Sequence, residues 1–464
     1  MRLSFHGAAD TVTGSCHLLQ TAHHKILFDC GFFQGQGLGD RNADPFPFDA
    51  STIDYVLLSH AHLDHCGRIP LLVKGGFTGR IVSTMATYDL ARLVLLDAAG
   101  IQSEDARRRN RKRSRSGEPE AKPLFDTEDV LDSLDFFDTF ATYDEVLELE
   151  PGLRVTYRDA GHILGSAFIE LEVQEKPQGP TRRITFSGDL GNLDKPLIRD
   201  PQTPSPADIV IVESTYGDRN HRNFDDSVEE FKEAILTTLE RGGNVVIPTF
   251  ALERAQELLY VLYLFYTAGD LPRCRIFLDS PMAIDATRVF TKHGDCFDEE
   301  ALALAAEGGN PFRFPALTYT RHPDDSRAIN GHKSGAIILA GSGMCTGGRV
   351  QHHLRHNLWR QECSIVFVGY AAEGTLARQI VEGQAIVDVL GEPVANNAQI
   401  WTINGFSAHA GQQTLLDWLD HTGNPETVFL VHGEDKAEEA FAHQIDETLG
   451  LQVRRPDLDS SFEI

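Results

Sequence analysis

The chain has 464 residues, of which 41% are hydrophobic and 24% charged, and a net charge of −26. That length points to two or three domains, and that hydrophobic share excludes a disordered chain. The acidity excludes tight, charge-driven binding of nucleic acid over a broad surface. It leaves room for RNA held in a cleft where bound cations supply the positive charge.

No apolar run approaches the roughly 18 residues that span a bilayer. The N-terminus MRLSFHGAAD lacks the charged-then-apolar pattern of a secretory signal, so a cytoplasmic protein without a membrane partner is expected. Seven cysteines, Cys16, Cys30, Cys66, Cys274, Cys296, Cys345 and Cys363, are odd in number, scattered and without a Cys-x-x-Cys pair. Buried reduced thiols are expected, not a disulfide framework or a cysteine zinc site.

In chain order, residues 2–5, 17–19 and 25–28 read as short strands, and 53–58 as a buried strand that runs straight into His60. Residues 103–122 are polar and hold Arg107, Arg108, Arg109, Arg111, Lys112, Arg113 and Arg115. They read either as a solvated excursion or as a phosphate-contacting arm. Residues 146–157, 168–173 and 183–186 read as further strands of the same sheet system. From about Pro206 the grammar changes to strand-then-helix units. Strand 208–212 leads to Glu213, 244–247 precedes a helix at 252–266, and 275–278 precedes 282–290. Strand 336–340 ends in GSGMCTGGR, and 364–368 precedes a helix at 376–382. This is the grammar of an open α/β domain with a mainly parallel sheet. After about Ala398 the chain returns to histidine-bearing loops, GFSAHAG at 405–411 and VHGE at 431–434. The expected division is 1–207, 208–398 and 399–464, with the first and last parts forming one domain.

The strongest chemical signal is His60-Ala61-His62-Leu63-Asp64-His65, directly after a strand. At such a turn, residues i and i+2 can face one point, while i+4 and i+5 enter the next helix and face a second. Imidazole and carboxylate are zinc ligands, and two adjacent points make a two-metal site. One loop cannot supply every ligand. His162 in GHILGSA, Asp189 in SGDLG and His432 in VHGE each sit at a strand end and complete the set. Asp29 in LFDCG also ends a strand, where it can orient a ligand or the attacking water.

These motifs, in this order, resemble the metallo-β-lactamase superfamily. The 242 residues between Asp189 and His432 resemble the β-CASP branch, the nucleases of RNA processing and decay. Glu213 in ESTYGDRNH, His409 in FSAHA and His432 in VHGE match the further motifs of that branch. The pattern is most similar to its short bacterial ribonucleases and to the endonuclease of mRNA 3′-end formation. The resemblance implies an αββα sandwich with an inserted β-CASP α/β domain that could roof a cleft. It also implies two zinc ions, manganese being an alternative. His60, His62 and His162 would hold one ion, Asp64, His65 and His432 the other, with Asp189 bridging.

The expected mechanism is attack of a metal-bridging hydroxide on phosphorus in single-stranded RNA. His409, held by Glu213, would protonate the leaving 3′-oxygen, leaving a 5′-phosphate and a 3′-hydroxyl. In the glycine-rich run, Ser342, Gly343 and Thr346 are expected to contact RNA phosphate. His352, His353 and His356 read as a wet helix surface, not a third metal site. The rivals are a 5′→3′ exoribonuclease, a hydrolase of small esters or lactams, a DNA nuclease, and a non-catalytic RNA-binding subunit. The chain ends about thirty residues after His432, which favours endonuclease action. A homodimer is left open.

Overall fold

Every catalytic candidate in the first part of the chain follows a short apolar strand, and strand direction decides where those candidates meet. The computed structural model describes residues 1–35, 37–113 and 119–464. Its chain divides into two compact units, the first made of Met1–Leu193, Asp200–Asn220 and His409–Ile464.

The first unit contains two seven-stranded sheets. One runs Ser461–Glu463, Arg2–Phe5, His17–Gln20, Lys25–Phe28, Tyr55–Leu57, Arg80–Thr84, Thr139–Ala141. The other runs Val453–Arg454, Thr427–Val431, Ile209–Glu213, Arg182–Phe186, Ala167–Val173, Leu153–Asp159, Val146–Glu150. Alternate residues of both sheets, among them Phe5, Phe28, Tyr157, Phe186 and Phe429, pack into one core. Burying each such ring contributes roughly 1.5–3 kcal/mol. Behind the second sheet, Phe168, Val212 and Leu430 pack on Trp418 and Leu419 of helix Gln412–Asp420 and Phe441 of helix Asp435–Leu449. The long helix Met85–Arg113 lies against the first sheet. The layers are therefore αββα.

Within the first sheet, Lys25–Phe28 and Tyr55–Leu57 are parallel. In the second, Arg182–Phe186, Ile209–Glu213 and Thr427–Val431 are mutually parallel. Leu153–Asp159 points the same way as Arg182–Phe186, because each is antiparallel to Ala167–Val173. Asp29 and His60 thus follow carboxyl ends of parallel strands in the first sheet, and His162, Asp189 and His432 those of co-directional strands in the second, where Glu213 is itself the last residue of its strand.

The stretch expected as one strand, 146–157, is a hairpin of two, Val146–Glu150 and Leu153–Asp159. Pro151 and Gly152 turn the chain, with Gly152 at φ +85°. Residues 103–113 of the basic segment continue helix Met85–Arg113, where Arg108 pairs with Glu104. Arg115 lies outside the described residues.

The second unit, Asp194–Arg199 and His221–Ala408, has a six-stranded sheet. Its order is Leu317–Tyr319, Arg275–Leu278, Ala336–Ala340, Val245–Pro248, Ser364–Val368, Gln399–Ile403, and every pairing is parallel. Such a sheet is covered on both faces, and helix Arg254–Ala268 is buried along most of its length. All seven cysteines are free and six are buried. Among the described residues, no helix is long and apolar enough to cross a membrane.

Candidate metal centre

The HAHLDH turn leaves strand Tyr55–Leu57 and enters the one-turn helix Leu63–Cys66. Loop 30–32 holds it by backbone bonds: Cys30 N–H donates to His65 O at 2.8 Å, and Phe32 N–H to Leu63 O at 2.9 Å. Gly31 has no room for a side chain, because a Cβ there would stand 1.5 Å from Asp64 O. Asp29 at φ +60° and His432 at φ +53° carry backbone strain of the kind found at functional sites.

Three groups of donor atoms converge, each with its atoms within 4.8 Å of one another. They are His60, His62, His162 and Asp189; Asp64, His65 and His432; and Asp189, Glu213, His409 and His432. Asp189 Oδ2 lies 3.4 Å from His60 Nε2, 3.5 Å from His162 Nε2 and 3.3 Å from His65 Nε2. Its Oδ1 lies 3.5 Å from His432 Nδ1. That Oδ1 is buried without a hydrogen-bond partner among the described residues.

Hydrogen bonds on the far side of each ring decide which nitrogen faces inward. His65 Nδ1 donates to Asp29 at 2.6 Å. Ser59 Oγ donates to Asp29 at 2.8 Å and so accepts from His60 Nδ1 at 3.0 Å. Thr215 Oγ1 donates to His432 O at 3.0 Å and so accepts from His432 Nδ1 at 3.1 Å. The inward Nε2 atoms of His65 and His432 then confront each other as lone pairs at 3.2 Å. His60 Nε2 and His162 Nε2 both face His62 Nδ1 at 3.1 Å. The facing lone pairs of His65 and His432 repel unless a cation lies between them, and His62 Nδ1, 3.1 Å from two further imidazole nitrogens, suits the same arrangement. Two ligands of one tetrahedral zinc, with bonds of roughly 2.0–2.1 Å, stand roughly 3.3 Å apart. The donor set therefore fits divalent cations.

The electrostatics agree. Burial pushes the pKa values of His60 and His62 down, His62 to about 4, which favours neutral donors. Burial opposes ionisation of Asp189, yet the surrounding His432, His65 and His60 hold its carboxyl well below the usual range. Burial likewise opposes a charge on His65, but Asp189 and Asp29 outweigh it and raise its pKa well above the usual value.

His409 is 22% exposed and shares its Nδ1 between both oxygens of Glu213, at 3.2 Å each. Glu213 is fully buried and also accepts from Leu190 N–H at 2.6 Å. Burial lowers the His409 pKa, but Glu213 and Asp189 raise it further, to about 9.

All ten residues singled out in the first unit thus meet at one edge of its sheets. Sequence reasoning missed Ser59 and Thr215, whose only signal was a hydroxyl beside His60 and two residues after Glu213. Ser342, Gly343 and Thr346 lie in the second unit, after strand Ala336–Ala340. There Val350 N–H donates to Gly341 O at 3.1 Å and Cys345 N–H to Ser342 O at 3.1 Å. Among the described residues, the amides of Gly343 and Thr346 meet no protein acceptor. The wet-surface reading of helix Val350–Asn357 is corrected at one residue. His352 is exposed, but His353 is fully buried and its Nε2 bonds Asp279 at 2.7 Å. Position i+1 on a helix turns to a different face than i and i+4.

Family models match three stretches of the chain. The metallo-beta-lactamase superfamily matches residues 9–152, the Beta-Casp domain 255–380, and the Zn-dependent metallo-hydrolase RNA specificity domain 393–456. The chain is 44% identical over 437 residues to Ribonuclease TTHA0252 of Thermus thermophilus, covering 94% of both proteins. It is 30% identical to Transcription termination factor FttA of Methanosarcina mazei, covering 98% of this chain and 70% of that one. A crystal structure of a protein of unknown function from Enterococcus faecalis shares the fold, with a TM-score of 0.55 and 11% identity, covering 100% of this chain and 99% of that one. With the αββα layers, the converging donors and these likenesses in place, the chain belongs to the β-CASP ribonuclease family of metallo-β-lactamase-fold hydrolases.

Proposed function

We propose that this chain is a zinc-dependent endoribonuclease that hydrolyses single-stranded RNA, leaving a 5′-phosphate and a 3′-hydroxyl. The observation that carries the reading is Asp189, whose carboxylate oxygens lie within 3.5 Å of His60 and His162 and also of His65 and His432, beside a histidine–glutamate pair. His60, His62 and His162 would hold one zinc, Asp64, His65 and His432 the second, and Asp189 both. Bound cations of this kind lower the pKa of water toward neutrality and offset charge on a phosphoryl group.

The chain's own residues do the rest. Asp29 and Ser59 fix the rings of His65 and His60 and keep their Nδ1 atoms protonated. Thr215 does the same for His432. Glu213 holds His409 by Nδ1, so a proton on Nε2 is free to be given away. Water adds to phosphorus in line and releases a proton to solvent as the bond to the 3′-oxygen breaks, while His409 Nε2 protonates that oxygen and regains its proton from solvent. Ser342, Gly343 and Thr346 would hold a backbone phosphate, Gly343 and Thr346 through their free amides and Ser342 by turning its hydroxyl from Gly347 O, to which it donates at 3.3 Å. The free thiols suit a reducing cytoplasm.

Incubation of the zinc-loaded protein with RNA labelled separately at each end tests this. Internal fragments ending in 3′-hydroxyl are expected. Stepwise trimming from the 5′ end would replace endonuclease with exonuclease action. Products with a 2′,3′-cyclic phosphate, or no cleavage, would reject the mechanism.

A further inference from the structure

In the second unit, strand Val245–Pro248 lies between Ala336–Ala340 and Ser364–Val368, with Val245 opposite Ile337 on one side and Ser364 on the other. Carried forward, that register sets Phe250 level with Ser342 and Gly369. Thr249 N–H still donates to Ala340 O at 3.0 Å, so the ladder holds to this point. The Phe250 ring lies against Gly343, where a Cβ would stand 3.0 Å from it. The loop after Val368 is tied to the same place. Ala372 N–H donates to Met344 Sδ at 3.3 Å, and Ala377 N–H to Met344 O at 3.2 Å.

Three strand-end loops are thus laced together, and two aromatic residues within them, Phe250 and Tyr370, remain 50% exposed. Other rings of this unit, such as Phe231, Phe290 and Phe406, are fully buried. Among the described residues, neither Phe250 nor Tyr370 has an aromatic or cationic neighbour stacked on it. The carboxyl ends of parallel strands are where ligands bind in open α/β sheets. The neighbouring chain is also basic against the trend of the protein. Residues 311–360 carry seven Lys or Arg and two Asp or Glu, in a chain of net charge −26. Five of the seven are paired, Arg321 with Asp285, Arg327 with Asp324, Arg349 with Asp279, Arg355 with Glu392 and Arg360 with Glu362, so the surplus is modest.

We propose that Phe250 and Tyr370 form a stacking platform for nucleobases of single-stranded RNA, beside the glycine-rich loop that takes the phosphate. The proposal rests on the RNA-cleaving reading above. Every base offers a π face, so the platform selects unpaired bases without selecting sequence. A duplex, whose bases are already stacked on one another, gains nothing from it.

The test is equilibrium binding of a single-stranded RNA carrying 2-aminopurine at successive positions to the zinc-loaded protein, in a His409→Ala background that suppresses cleavage. Wild type is compared with Phe250→Leu, Tyr370→Leu and Phe250→Trp. Leucine keeps an apolar contact with Gly343 but has no ring face. Each leucine variant is expected to weaken binding by roughly 5-fold to 100-fold, the range of one base stack, and Phe250→Trp to retain it. An abasic site at the stacked position should cost wild type the same factor and cost the leucine variant nothing more. Leucine variants that bind like wild type, or abasic and leucine losses that simply multiply, would overturn the platform while leaving the ribonuclease reading intact. A wild type that neither binds nor cuts RNA would overturn both.

Discussion

At the scale of single residues, the metal centre depends on which nitrogen of each imidazole is free. His60, His62, Asp64 and His65 were legible in the sequence because they are crowded into six positions after a strand. Ser59 and Thr215 were not, because a hydroxyl at a strand end is ordinary and its bond to a ring exists only in three dimensions. Asp29→Asn removes the charge that holds His65 Nδ1–H. It should lower metal affinity about 10–100-fold, measured by competition with a chromophoric chelator. His409→Ala should reduce kcat by about 10²–10⁴ with metal content unchanged. Glu213→Gln bears on pH. Glu213 raises the His409 pKa, so removing its charge lowers that pKa. The alkaline limb of the kcat profile should then move to lower pH, and a limb that stays in place would separate His409 from the proton transfer.

At the scale of elements, patterning recovered the strands that bury a continuous apolar run, such as Lys25–Phe28 and Ala336–Ala340. It missed short or edge strands, including Thr139–Ala141 and Ser461–Glu463, whose partial exposure leaves too little pattern to read. It also missed helix Met85–Arg113, whose second half is mostly polar, with Ala106 its one buried apolar side chain among the described residues, and is carried by its packed first half. Two glycines mark the contrast between a turn that needs one and a helix that does not. Gly31→Ala would drive a Cβ into Asp64 O. It should destabilise by about 1–3 kcal/mol and weaken metal binding as well. Gly100, inside helix Met85–Arg113, has open space around its Cβ position. Gly100→Ala should stabilise by about 0.5–1 kcal/mol, with chemical denaturation reporting both changes.

At the scale of the whole molecule, the order of motifs revealed an insertion, because candidate donors on either side of 242 residues converge. The reason they meet was hidden. It is the shared direction of strands within each of two sheets, which depends on pairings no local pattern states. The first unit also carries a buried carboxyl with no part in the chemistry. Glu438 is fully buried on helix Asp435–Leu449. Burial raises its pKa to about 7, against a weaker opposing pull from Arg455. Between about 4.5 and 7 the folded chain therefore holds a proton that the unfolded chain has lost, and stability falls as pH rises through that window. Glu438→Gln should flatten this fall, so its gain in Tm over wild type grows from pH 5 to pH 8. A pH-independent difference would remove Glu438 from the account.

The most direct measurement is a zinc titration of the metal-stripped protein that follows bound metal and RNA cleavage in the same samples, with Asp189→Ala in parallel. Two equivalents bound, with cleavage appearing as the second is filled and both lost in Asp189→Ala, is the predicted result. Full cleavage by the metal-free chain, or an Asp189→Ala variant that binds two equivalents and cuts at the wild-type rate, would contradict it.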